Sequence, residues 1–167
     1  EPLKNLKRAD LLILNRVDQC LLTEQVLANL QLFCQAPTIE ASYEKCNFEE
    51  IYSDKIIPLE ALKRKSCLAF CGIANPISFI NSLKDSQIEV VATKFFPDHY
   101  VYKERDVLDL VQEGSKHRVD FLVTTEKDKV RLPKITTKLP IYALVIEVKI
   151  TKGEEILEQK LKQVLEL

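Results

Sequence analysis

The sequence contains no methionine, not even at position 1. Translation begins with methionine, and its removal as a rule exposes a small residue. A chain led by Glu1 and Pro2 therefore reads as the back part of something longer. No run approaches the roughly 18 apolar residues of a membrane span, and no signal peptide is visible. The net charge is −1, so no global basic field favours nucleic acid or anionic lipid. The five cysteines, Cys20, Cys34, Cys46, Cys67 and Cys71, are odd in number and include no CxxC pair. That points to a reducing compartment and buried thiols, not to a disulfide framework or zinc. Neither GxGxxG nor the Lys-Ser/Thr loop of a P-loop occurs, so neither of these phosphate cradles is present.

What remains is a soluble, globular composition, 46% hydrophobic and 29% charged, long enough to bury a core without staples. ADLLILN (Ala9 to Asn15) is a short buried-type strand. Leu22, Val26, Leu27, Leu30 and Phe33 share one face of a following helix. From Pro37 to Asp54 the pattern dissolves into a polar stretch, read as a linker, with a short strand in IYSDKIIPL. After Lys65 the rhythm becomes regular. CLAFCGI, IEVVATKFF, DFLVTT and IYALVIEV read as strands, separated by helices through PISFINSLKD and through Val107, Leu108 and Val111. The chain closes on an amphipathic helix with Leu157, Leu161, Val164 and Leu165 inward. Nearly continuous apolar strands alternating with helices predict a mostly parallel sheet covered on both faces, a three-layer α/β/α arrangement.

In such sheets ligands gather beyond the carboxyl ends of the strands. The loops GIANP, PDHY and TTEKD each follow a strand directly, so all three fall on that edge. GIANP offers backbone N–H groups at a helix start, but a tight turn with an Asn75 cap explains it more simply. In TTEKD, Thr125 and Asp128 fit a capping pair and Glu126 suits the positive helix end. Lys127 is a cation where the helix dipole disfavours one, so it either faces solvent or meets an anionic ligand. Asp98 and His99 are adjacent, and on an extended segment their side chains point apart, which makes shared metal binding awkward. His99 has the chemistry of an acid or base near neutrality, though a lone loop histidine is more often inert. His117 has only basic polar neighbours and reads as surface. NRVD (Asn15 to Asp18) is similar to the guanine-reading NKxD of GTPases with one substitution, a match that arises easily by chance.

In order along the chain, EPLKNLKRAD, AFCGIANP, FFPDHYVY and TTEKDKVRL resemble the C-terminal half of the tetraacyldisaccharide 4'-kinase (lipid A 4'-kinase) family. Members carry REPLxxLKRAD, a GIxxP turn, FxDHHxY and TTEKDxVKL in that order, and the resemblance runs from Glu1 to about Val148. It implies two α/β domains joined by a short β linker. Residues 1–46 would be the tail of the nucleotide-binding domain, 47–65 the linker and 66–167 the C-terminal domain. It implies MgATP-dependent transfer of the γ-phosphate to the 4'-hydroxyl of a tetraacyldisaccharide 1-phosphate, at the cytoplasmic face of the bacterial inner membrane. ATP and Mg²⁺ would be held mainly by the P-loop domain, whose N-terminal segment associates with the membrane. These 167 residues would be a soluble piece, inactive alone. His99 matches the first histidine of DHH, which supports an aspartate of the P-loop domain, and Tyr100 stands where many members have the second. Glu1 matches the acid of REP near the substrate, and Asp98 and Lys127 are further substrate-binding candidates. Two readings of other classes stand beside this one: a non-catalytic α/β module for a small anionic ligand, and a truncated GTPase.

Overall fold

The computed structural model describes residues 2–19, 21, 23–53 and 55–165. The chain forms two compact units, Glu1–Glu44 with Glu147–Leu167, and Lys45–Ile146. In the first, a 3-10 helix over Leu3–Arg8 precedes β1 (Leu12–Asn15), and α1 (Thr23–Gln31) leads to β2 (Thr38–Glu50). β1 and β2 are parallel, with Leu12 opposite Thr38 and Asn15 opposite Ala41. The end of β7 (Ile141–Lys152) belongs to this unit, and its Lys149 and Lys152 pair with Glu44 and Glu40 of β2. Those pairings run in opposite senses along the two strands, so β2 and β7 are antiparallel. Gly153 then turns the chain at φ +84° against Ile39, where a Cβ would lie 2.8 Å from Ile39 Cγ2. Only glycine adopts that backbone freely and leaves that space.

The polar stretch expected as a linker is in fact this long strand β2, thirteen residues with no break. Ile39 and Ala41 are buried on one phase of the alternation, then Ser42 and Phe48 on the other. The change of phase hides the two-residue period by which a strand is recognised. The short strand expected nearby is β3 (Ile56–Pro58), antiparallel to β2. Val26, Leu27, Leu30 and Phe33 of and after α1 are half-buried as expected, while Leu22 lies outside the described residues. The terminal helix α6 (Glu154–Leu165) departs from expectation: Leu157 is half-buried, but Leu161, Val164 and Leu165 are exposed. An amphipathic pattern fixes which face is apolar, not whether a neighbour covers it.

The second unit contains most of the core. After the one-turn helix α2 (Leu59–Leu62) come β4 (Ser66–Cys71), α3 (Pro76–Asp85), β5 (Glu89–Phe95), α4 (Glu104–Lys116), β6 (Phe121–Thr125), and α5 (Glu126–Lys129). β7 follows, and the hydrogen-bonded order is β2-β7-β6-β4-β5. β5, β4, β6 and β7 run parallel to one another. Cys67, Ala69 and Cys71 of β4 pack with Phe79, Ile80 and Leu83 of α3 on one face. The alternate residues Leu68 and Phe70 pack with Val107 and Leu110 of α4 on the other. Strand alternation thus gives this sheet two apolar faces and a helix on each, the α/β arrangement expected. Residues 147–167, expected with the C-terminal domain, group with residues 1–44, and β2 runs unbroken through the border expected at 46/47.

Candidate functional site

β4 and β6 are neighbours whose chains leave the sheet in opposite directions. β4 exits to α3 on one face. β6 exits through α5 to Leu132, Ile135 and Leu139, which pack on the other. Between two such strands the loops part and leave a crevice at their carboxyl ends, where ligands of open α/β sheets bind. Gly72 follows β4 and Asp128 lies just beyond β6, so both stand at this point.

The two loops meet directly. Asp128 is fully buried, and its Oδ2 accepts from the Gly72 N–H at 3.1 Å and from the Thr125 hydroxyl at 2.7 Å. The Thr125 oxygen in turn accepts from the Asp128 N–H at 3.2 Å, so the expected helix cap forms. Gly72 has no room for a side chain. An added Cβ would lie 2.8 Å from the Pro97 carbonyl oxygen, 3.2 Å from Tyr100 Cβ and 3.3 Å from Asp128 Oδ1. Its missing side chain lets all three βα loops converge. The neighbouring Asn75 caps α3 by accepting from the Ser78 N–H at 3.2 Å, as expected for GIANP.

The loop after β5 carries His99 into this corner in a left-handed backbone conformation, φ +62°. The His99 N–H lies 3.1 Å from the Gly72 carbonyl and 3.0 Å from Asp98 Oδ1, which hold the turn. Left-handed non-glycine residues cost of order 1 kcal/mol or more and persist where their surroundings fix them. This turn overturns the expectation that the side chains of Asp98 and His99 diverge. His99 Nε2 lies 3.7 Å from Asp98 Oδ2. Alternation applies to extended backbone, and His99 is not extended. The imidazole is 79% exposed, and its Nδ1 lies 3.1 Å from Nη2 of Arg131. Arg131 Nη1 faces Asp128 Oδ1 at 3.6 Å, an ion pair longer than a hydrogen bond. The Arg131 carbonyl also accepts from the Tyr102 N–H at 3.3 Å, tying the loops after β5 and β6 together.

Under the loop, Phe70, Phe96, Tyr100 and Tyr102 form a cluster with ring centroids 4.8–5.6 Å apart. Tyr100 donates from its hydroxyl to Asp106 Oδ2 at 3.1 Å, and that oxygen also accepts the Lys103 N–H that opens α4. Tyr100 is therefore part of the wall and of a helix start, with its polar end already engaged. The negative charge of Asp128 is felt by its neighbours. Burial first, then that carboxylate, push the Cys71 thiol up to about 12 and raise the Tyr102 phenol. Both stay protonated at neutral pH. The Tyr102 hydroxyl, Asp128 Oδ1 and Arg131 Nη1 are buried without a hydrogen-bond partner.

Of the residues expected to matter, His99 and Asp98 lie in this corner and Glu1 is outside the described residues. Lys127 is exposed on α5 and has no ion-pair partner among the described residues, so its charge faces solvent. Asn15 of NRVD donates to the Tyr43 hydroxyl and accepts from the Arg16 N–H, and the Arg16 guanidinium stacks over the Tyr43 ring. Asp128 and Arg131 escaped the sequence reading. Asp128 has a sufficient local explanation as a capping partner, while Arg131 stands at the lysine of TTEKDxVKL, a basic position whose partner no local pattern reveals. Among the described residues no group of three His, Cys, Asp or Glu side chains is placed to hold a metal ion. No helix among them is long and apolar enough to cross a membrane.

Known proteins are similar to this chain over most of its length. A curated tetraacyldisaccharide 4'-kinase of Pelodictyon phaeoclathratiforme is 33% identical over 173 residues, covering 98% of this chain and 48% of its own length. One from Geobacter metallireducens is 34% identical over 148 residues, covering 88% of this chain and 42% of its own. The chain thus spans about half the length of these relatives. Among solved structures, the "apo" form of LpxK from Aquifex aeolicus in complex with ATP superposes with a TM-score of 0.63 at 27% identity. That match covers 98% of this chain and 45% of the other. The model of LpxK, described as tetraacyldisaccharide-1-P 4'-kinase, matches residues 1–166. Sequence and fold agree, and the chain belongs to the tetraacyldisaccharide-1-P 4'-kinase family.

Proposed function

We propose that this chain is the C-terminal portion of a kinase that transfers the ATP γ-phosphate to the 4'-hydroxyl of a tetraacyldisaccharide 1-phosphate in lipid A biosynthesis. In this reading His99 assists the reaction, supporting an aspartate of the P-loop domain that acts on the sugar hydroxyl. The observation that carries it is the exposed imidazole at the carboxyl edge of the parallel sheet, held in a left-handed turn by Gly72 and Asp98. Family membership over residues 1–166 supports the reaction class.

Phosphoryl transfer is mainly positioning and charge stabilisation by a phosphate cradle, a lysine and Mg²⁺. The sequence contains no P-loop, and the described residues gather no donor set for Mg²⁺. In this reading nucleotide and ion are held mainly by the P-loop domain, and this chain alone binds ATP weakly and does not turn over. In this reading residues 1–46 are the tail of that domain, and the compact unit that contains most of them, Glu1–Glu44, also takes in Glu147–Leu167. Asp98 beside His99 and Glu1 remain substrate-side candidates. Lys127 keeps that assignment only if the substrate reaches the outer face of α5. The lipid substrate and the inner membrane surface are the partners of the full-length enzyme.

A positioned acid–base group contributes roughly 10²–10⁴-fold in rate. In the full-length protein His99→Ala lowers kcat by up to about 10²-fold, at the low end of that range because His99 only assists, with ATP affinity near normal. An unchanged kcat removes His99 from the mechanism. Turnover by these 167 residues alone overturns the division of labour.

A further inference from the structure

We infer that Arg131, anchored on the buried Asp128, is a positioning residue that fixes which nitrogen of the His99 ring carries the proton. Arginine has N–H donors and no acceptor. The contact from Arg131 Nη2 to His99 Nδ1 at 3.1 Å is a hydrogen bond only if Nδ1 offers its lone pair. The neutral imidazole then carries its hydrogen on Nε2. The other side of the ring agrees, because Nε2 lies 3.7 Å from the Asp98 carboxylate, which favours an N–H there. The two ring nitrogens thus face groups of opposite sign, a cationic donor at Nδ1 and an anionic acceptor near Nε2.

Arg131 is itself held from behind. Its side chain is 21% exposed and that of Asp128 fully buried. Asp128 is fixed in turn by the Gly72 N–H and the Thr125 hydroxyl. Orientation therefore passes from the loops after β4 and β6 through the Asp128–Arg131 ion pair to a ring that is mostly in solvent. A lysine ammonium is a point charge and cannot span two partners in a fixed plane. The exposed Nε2–H is left as a hydrogen-bond donor, suited to hold a carboxylate presented from outside this chain. This deepens the proposed function and rests on it for the kinetic arm alone.

The test is ¹⁵N NMR of the full-length protein labelled at histidine, with the His99 signals assigned by their loss in His99→Gln. The expected result is an Nε2-protonated ring with Nδ1 as a hydrogen-bonded acceptor. In Arg131→Met the Nδ1 resonance moves and the share of the Nδ1–H tautomer rises at least about twofold. If that variant does not fold, Arg131→Lys serves, and the Nδ1 resonance must move there too. A wild-type ring protonated on Nδ1, or an Nδ1 resonance unchanged in the variant, overturns the inference whatever the enzyme's activity. Kinetically, Arg131→Met lowers kcat with little change in the KM for ATP, and adding it to His99→Gln lowers kcat no further. Additive losses overturn action through His99. A kcat insensitive to His99→Gln, with the tautomer still dependent on Arg131, instead rejects the proposed role of His99 and keeps the relay.

Discussion

The same two strands end in two different ways. At the amino edge of β4 and β6, Asp120 Oδ2 accepts from the Ser66 N–H at 2.7 Å and from the Ser66 hydroxyl at 2.8 Å. The Asp120 N–H returns to the Ser66 carbonyl at 2.9 Å. The arrangement is reciprocal, exposed and complete. At the carboxyl edge Asp128 makes the equivalent bridge to Gly72 but is buried, and its Oδ1 has no hydrogen-bond partner. One carboxylate fastens two strands; the other also faces a guanidinium that reaches the imidazole. Buried polar groups are normally satisfied, and the exceptions concentrate where function demands them. That difference, which owes nothing to any motif, is what favours the carboxyl edge as the candidate site.

The comparison is broken most severely by removing the buried carboxylate. Asp128→Ala leaves Arg131 without its partner and should cost about 3 kcal/mol, the low end for a broken buried pair because Arg131 retains some solvent. Urea denaturation measures it, and a loss equal to that of Asp120→Asn would erase the distinction between the edges. Gly72→Ala comes next. Its methyl would meet the Pro97 carbonyl at 2.8 Å, and relieving the clash should cost about 1–3 kcal/mol. It should also displace the His99 turn and lower kcat in the full-length protein, whereas a mutation confined to the amino edge leaves kcat unchanged.

Tyr100→Phe keeps the aromatic cluster and loses only the bond to Asp106. A smaller fall in Tm than for Gly72→Ala is expected, with kcat close to wild type; a large kcat loss would make Tyr100 part of the chemistry.

Asp120→Asn has the smallest effect. The Ser66 N–H, then the Ser66 hydroxyl, hold the Asp120 carboxyl below its ordinary value. A lowered folded-state value means its stabilisation is present above the unfolded-state value, near 3.9, and is lost as pH falls through the folded-state one. The site is exposed, so the loss on substitution at pH 7 is at most about 1 kcal/mol, and it should shrink toward about pH 3. A variant penalty that grows on acidification would contradict the sign.

Where a segment's physics is local, the sequence was legible. β4, β5 and β6 are apolar runs with turn residues after them, and the caps at Asn75 and Thr125 follow from residue type and spacing. β2 was lost because its buried phase changes at Ala41 and Ser42, and the charges along it resemble a loop. Periodicity marks the apolar face of α6 but not its exposure, since burial depends on a neighbour that periodicity does not supply. His99 was visible as a residue type on the ligand edge. Its turn was not, because the φ of +62° is fixed in part by the Gly72 carbonyl, 27 positions away.

The sequence by itself determined the α/β class, the helix caps, the edge on which the three polar loops gather, and the family, through four motifs in order. Short-range periodicity and residue chemistry carry that information. Only the tertiary structure decided that Asp128 is buried against Gly72, that Arg131 joins it to His99, and that Lys127 turns away. Those are contacts between loops brought together by strand order, and the pairing of β4 with β6 across an intervening strand in sequence is a long-range choice.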